Sequence, residues 1–162
     1  MEIVPIAEEH IEGFHQCLDS VARERLYLAF LEAPSIEDTR GFVLSNIAHD
    51  VPQFVAVATP EVVGWCDISP AIRPGWTHCG RLGMGVLKGY RGMGIGRGLL
   101  MAALDKARAR GLERIELEVF ASNQAAIALY KSAGFVIEGI KKRGRKLEGI
   151  YDDVVCMALL YE

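Results

Sequence analysis

Apolar positions along this chain keep two rhythms, a spacing of three and four residues and a strict alternation. Ile11, Phe14, Leu18 and Val21 keep the first, which predicts a helix over 8–24 behind a short strand, "EIVPI". A second helix is expected to open at Pro34-Ser35, where Ser35 and Asp38 are placed as a capping box, and to run to about Ile47. "QFVAVAT" and "VVGWCDIS", parted by Pro60-Glu61, read as a hairpin. Residues 70–76, "PAIRPGW", read as a loop, and "THCGRLGMGVL" as a strand weakened by Gly80, Gly83 and Gly85. Leu99, Leu100, Ala103, Leu104 and Ala107 form a further helical stripe that Gly111 stops. "RIELEVF" alternates, with Ile115, Leu117 and Val119 on one face and Glu116, Glu118 and Phe120 on the other. "SNQAAIALYKSAGF" predicts a short helix opening at Ser122 or Asn123. Strands near 135–143 and 150–160 close the chain, joined by a basic hairpin, "KKRGRKLEG". With no repeat or linker, this order predicts one mixed α/β domain over 1–162.

One stretch breaks the rhythm. "YRGMGIGRGLL" places four glycines (Gly92, Gly94, Gly96, Gly98) directly before the stripe that begins at Leu99. The first N–H groups of a helix lack internal acceptors, and the helix dipole adds partial positive charge there. Glycines permit positive φ and let an anion touch the backbone. Arg91, Gly92, Met93, Gly94, Ile95, Gly96 and Arg97 therefore read as a cradle for a diphosphate, with a purely structural turn as the alternative. A dinucleotide fingerprint needs a third glycine where Leu99 stands. A P-loop needs Lys-Ser or Lys-Thr, which follows none of these glycines.

The spacing that fits is Arg-x-x-Gly-x-Gly, at Arg91, Gly94 and Gly96, followed by Asn123 and then Tyr130 seven residues later. With "GVLKGYRGMGIGRGLL" and "LEVFASNQAAIALYKSAGF", the chain resembles the GCN5-related N-acetyltransferases (GNAT) over residues 77–137, and in element order throughout. It is nearest to the ribosomal-protein-alanine, phosphinothricin and amino-acid types, whose terminal motif is similar to Gly149, Tyr151, Asp153 and Met157. Lys88 stands where the family often has proline. The resemblance implies a mixed, mostly antiparallel sheet of about seven strands, splayed at the fourth and fifth, with about four helices. It implies acetyl-CoA as co-substrate and direct transfer to a primary amine, with no metal. A small-molecule amine or amino acid fits better as acceptor than a protein N-terminus. The backbone of Met84, Gly85 and Val86 would pair with the pantetheine arm, with a Val86 N–H on the thioester oxygen, and Asn123 would bind the arm's amides. Gly83 and Gly85 would allow close approach.

An alkyl amine near pKa ~10.4 arrives protonated, so a base is required. The resemblance implies Glu118 for that role, ahead of Glu116, and Tyr130 as the acid beside the departing sulfur. A non-catalytic acyl-CoA-binding sensor module is the alternative, and a nucleotide-binding oxidoreductase is disfavoured by the missing third glycine.

Charge sharpens this picture. Residues 1–70 carry three Lys/Arg against twelve Asp/Glu, and residues 71–162 carry fifteen against nine. The basic half would hold CoA phosphates, while the acidic half would attract a cationic amine, with Glu24, Tyr27, Glu32 and Asp67 as acceptor contacts. Lys141, Lys142, Arg143, Arg145 and Lys146 read as a solvated hairpin rather than a nucleic-acid patch, since pI is near 5.8 and aromatics are not interleaved. Four scattered cysteines, no long apolar run and no leader-like start suggest reduced thiols in a cytoplasmic protein without membrane contact; a homodimer is left open. The four histidines form no metal set, and His78 and Cys79, as neighbouring strand residues, are expected to point apart.

Overall fold

The computed structural model describes all residues from Met1 to Glu162. The chain runs β1 (Glu2–Pro5), a short 3₁₀ turn (Glu8–His10), α1 (Ile11–Arg23), α2 (Ile36–Ala48), β2 (Gln53–Ala58), β3 (Glu61–Pro70), β4 (Cys79–Val86), α3 (Ile95–Ala109), β5 (Arg114–Phe120), α4 (Gln124–Ser132), β6 (Val136–Leu147) and β7 (Ile150–Leu160). The strands form one sheet in the order β1-β2-β3-β4-β5-β7-β6. Every pairing is antiparallel except β4 with β5. That parallel ladder joins only Cys79 to Arg114, Gly80 to Ile115 and Arg81 to Glu116. Both strands continue past it, to Val86 and Phe120, without pairing again. The sheet is therefore splayed between its fourth and fifth strands, as expected.

Alternation along the strands gives each face its own core. On one face Ile11, Phe14, Cys17, Leu18 and Val21 of α1 pack on Val55, Val62 and Trp65, with the Phe14 and Trp65 rings edge-on at 5.8 Å. On the other, Leu99, Leu100, Ala103 and Leu104 of α3 cover Ala56, Val63, Cys66, Ile68 and Ile115. The α2 helix is attached more lightly: it buries only Thr39, Val43 and Asn46. Of the expected capping box, the Ser35 half is present, its hydroxyl accepting from the Asp38 N–H at 3.1 Å. None of the helices is long and apolar enough to cross a membrane.

Two boundaries move. The fourth strand starts at Cys79 rather than Thr77, because the backbone at Trp76 to His78 is held by turn bonds, including Cys79 N–H to Trp76 O at 2.8 Å. The basic hairpin is mostly strand: β6 continues to Leu147 and turns only at Glu148-Gly149, both at positive φ (51° and 79°). Its glycine and cations imitate a loop, but β7 supplies partners through an irregularity between Lys141 and Arg145.

Candidate active site

The glycine cluster divides into two jobs. Gly92 (φ 75°) and Gly94 (φ 82°) are left-handed, and a Cβ at either would meet nothing within 4 Å, so the turn is open in front of its backbone. Gly98 serves packing, since a Cβ there would stand 2.5 Å from Ile3 Cδ1. The first helical bond of α3 runs from Gly98 N–H to Gly94 O at 3.1 Å, so the N–H groups of Ile95, Gly96 and Arg97 precede it without helical acceptors. Arg97 lies beside them, its guanidinium reaching only the Ser132 hydroxyl at 3.2 Å. The cradle thus has open space, free donors and a positive charge that fit a diphosphate.

Arg91 does not contribute its charge there. Its Nε donates to Val86 O at 2.9 Å, its other nitrogens bind Glu24 at 2.5 and 3.2 Å, and its guanidinium lies 4.6 Å from the Tyr27 ring centre. Arg91 therefore ties the end of α1 to the exit of β4. Glu24 and Tyr27, expected at the acceptor, are its partners instead. Glu32 is also placed elsewhere, on Arg23 at the surface.

A cleft of about 390 Å³ opens on the α1–α2 face of β3 and β4. Gly85 does not widen it: a Cβ there would meet the Trp65 ring at 2.4 Å, so the glycine makes room for that indole and not for an incoming arm. Gly83 opens onto the Asp67 carboxylate, 3.7 Å from where a Cβ would stand. Asp67 lines the cleft, and burial alone pushes its carboxyl up to about 7.

Glu118 lies two residues past the last β4–β5 rung, at the mouth of the splay. It accepts from Lys141 Nζ at 2.8 Å and lies 3.5 Å from Arg81 Nη2. The hydrogen bond from Lys141, aided by the nearby Arg81 charge, holds its carboxyl below the usual range. The basic hairpin is thus not merely solvated: Lys141 reaches Glu118, and Arg145 packs its guanidinium 4.4 Å from the Phe120 ring centre while bonding Arg25 O at 2.6 Å. Neither of Glu118's partners was visible in the sequence, because both come from distant strands. Glu116, the weaker candidate, is held by Arg114 at 3.0 Å.

Tyr130 is buried beside Phe135, with ring centres 5.7 Å apart, and burial raises its phenol well above the ordinary value. It stays protonated throughout the neutral range. Asn123 caps α4, its side-chain oxygen accepting from Ala126 N–H at 3.2 Å. His78 and Cys79 do not point apart: Sγ and Nε2 are 3.4 Å from each other, because His78 belongs to the turn and not to the strand. Cys79 stands at the start of β4, at the opposite end from Val86.

The sequence profile of the acetyltransferase (GNAT) family matches residues 16–135. An L-amino acid N-acetyltransferase, AaaT, of Escherichia coli K12 is 33% identical over 138 residues, 85% of each chain. A GNAT-family acetyltransferase from Streptococcus pneumoniae superposes with a TM-score of 0.91 at 29% identity, covering 99% of both chains. A Sinorhizobium meliloti phosphinothricin acetyltransferase solved with AcCoA superposes at 0.90 with 17% identity, over 98% of this chain and 87% of its own.

Proposed function

Since the chain belongs to the GNAT acetyltransferase family, we propose that it acetylates a primary amine from acetyl-CoA by direct transfer, with a free amine or amino acid as acceptor. The observation that carries this reading is the splay past Arg81, which leaves residues 82–86 without a β5 partner, in the same chain stretch that leads to the open turn at Gly92 and Gly94.

When bound, acetyl-CoA supplies an activated acyl group and a thiol leaving group. The N–H groups of Ile95, Gly96 and Arg97, with the backbone of Gly92, Met93 and Gly94, would hold the diphosphate; Arg91 would act only by fixing the turn. The backbone of Met84, Gly85 and Val86 would hold the pantetheine arm, with a Val86 N–H on the thioester oxygen, and Asn123 would bind the arm's amides. The protonated Tyr130 phenol would give its proton to the departing sulfur. Glu118, charged above the ordinary carboxylate range, would accept the proton lost by the acceptor, letting go of Lys141 as it does. The four free cysteines support a cytoplasmic enzyme, and the excess of acidic residues in 1–70 supports a cationic acceptor.

The test follows free CoA with a panel of primary amines, in wild type and Tyr130→Phe. Wild type should release CoA with at least one amine. The phenylalanine variant should bind acetyl-CoA normally and turn over roughly 10²–10⁴-fold more slowly. Tight acetyl-CoA binding with no thiol release from any amine would favour a non-catalytic sensor.

A further inference from the structure

We propose that Asp67 receives the ammonium group of the acceptor, and that the cleft around it selects a primary amine bearing an apolar group up to the size of an aromatic ring. This inference rests on the acetyltransferase reading and names the acceptor class. The cleft's 390 Å³ lies within the range of small-ligand sites, and its walls are apolar: Phe14, Leu18, Leu28, Phe30, Phe42 and Trp65 all line it. Two of these remain substantially exposed although they line the cleft, Phe30 at 51% and Phe42 at 41%. An apolar group seated in the cleft would cover apolar surface that is now exposed.

One charge on the floor is unmatched. Asp67 has no hydrogen-bond or ion-pair partner, whereas Glu118 is held by Lys141 and Arg81, and Glu24 by Arg91. Gly83, directly across the strand pair, carries no side chain to cover it. The other charged groups facing the cleft are Arg81 of β4, already beside Glu118, and Asp38 of α2, a second acid. The α1 helix contributes only Phe14 and Leu18. The neighbour of Asp67 on β2 is the neutral Gln53, whose Oε1 accepts from Asn46. A half-buried carboxylate among apolar walls is costly without a cation, so an alkylammonium is the complementary ligand. Desolvating that ammonium is offset only if the rest of the molecule buries apolar surface.

Calorimetric titration of 2-phenylethylamine and of ethanolamine, in the presence of CoA, reads the proposal as binding. Phenylethylamine should bind wild type at least about tenfold more tightly than ethanolamine, and Asp67→Asn should lose about tenfold or more. Wild-type affinity should fall as pH drops from about 8 to about 6, because Asp67 takes up a proton near 7 and loses its charge; the Asn variant should be flat there. Equal affinity for the two amines, or pH-independent binding to wild type, overturns the proposal. Neither measurement needs a variant, so misfolding of Asp67→Asn would not shield it. Phenylethylamine that binds with this pH dependence while no amine releases CoA would sink the acetyltransferase reading and leave Asp67 in place.

Discussion

Glu118 carries a charge that two cations already share. Its side chain is 35% exposed, so the pair with Lys141 adds little to stability, but it matters for proton traffic. A carboxyl held below about 4.3 is ionised across the neutral range, and its linkage runs one way: whatever stability it adds is present above that value and lost as pH falls through the depressed one. Any rise in kcat/KM due to Glu118 therefore belongs at acid pH, and a limb near neutrality must come from another group, such as Asp67 or the amine itself. Glu118→Gln should lower turnover roughly 10²-fold while leaving the shape of the profile above about pH 6 unchanged. Disappearance of a neutral limb in that variant would return the titrating group to Glu118. Tyr130, Asn123 and Glu118 could be named as candidates because the family resemblance carries each at a fixed spacing. Asp67 was legible only as an acidic residue in an acidic half: a strand residue does not announce which face it lines or whether a cation stands opposite.

At the scale of the element, the entrance to α3 shows why its glycines are not equivalent. At Gly98 an added methyl would press on Ile3, an overpacking that costs about 1–3 kcal/mol against roughly 1 kcal/mol regained in helix propensity. At Gly94 nothing in the protein is struck, but a side chain would be strained by φ 82° and would stand in the cradle. Gly98→Ala should lower the melting temperature by a few degrees and leave CoA affinity alone, whereas Gly94→Val should abolish measurable CoA binding in a fold that survives. Calorimetry and thermal unfolding on both variants separate the two roles, and unchanged affinity in Gly94→Val would remove the diphosphate from this turn. The sequence displayed four glycines but not this division, since Ile3 lies more than ninety residues away. A separation of 67 residues likewise hid the pairing of Arg91 with Glu24. The extension of β6 was hidden for another reason: its register is set by pairing with the adjacent β7 and not by its own composition.

For the whole molecule, the family resemblance implied the seven-stranded, splayed sheet, while the alternation of apolar residues was enough to predict only one mixed α/β domain, because each buried face repeats within its own element. What it could not supply is where the two halves of the sheet stop touching. Only three residue pairs join β4 to β5, so β1–β4 and β5-β7-β6 behave as half-sheets sharing a short seam. Beyond the seam, residues 82–86 have no ladder partner on the β5 side. In hydrogen–deuterium exchange that stretch should lose its protons early, out of step with the β3-bonded amides of the same strand. Saturating acetyl-CoA should slow it selectively, together with the amides of 95–97, while the β2–β3 ladder stays as it was. Uniform slowing across both half-sheets would instead mean that the ligand stiffens the protein as one body. A seam this short makes the sheet a clasp: its weakest line of cohesion coincides with the line along which its ligand is to be gripped, so occupancy and mechanical continuity rise together.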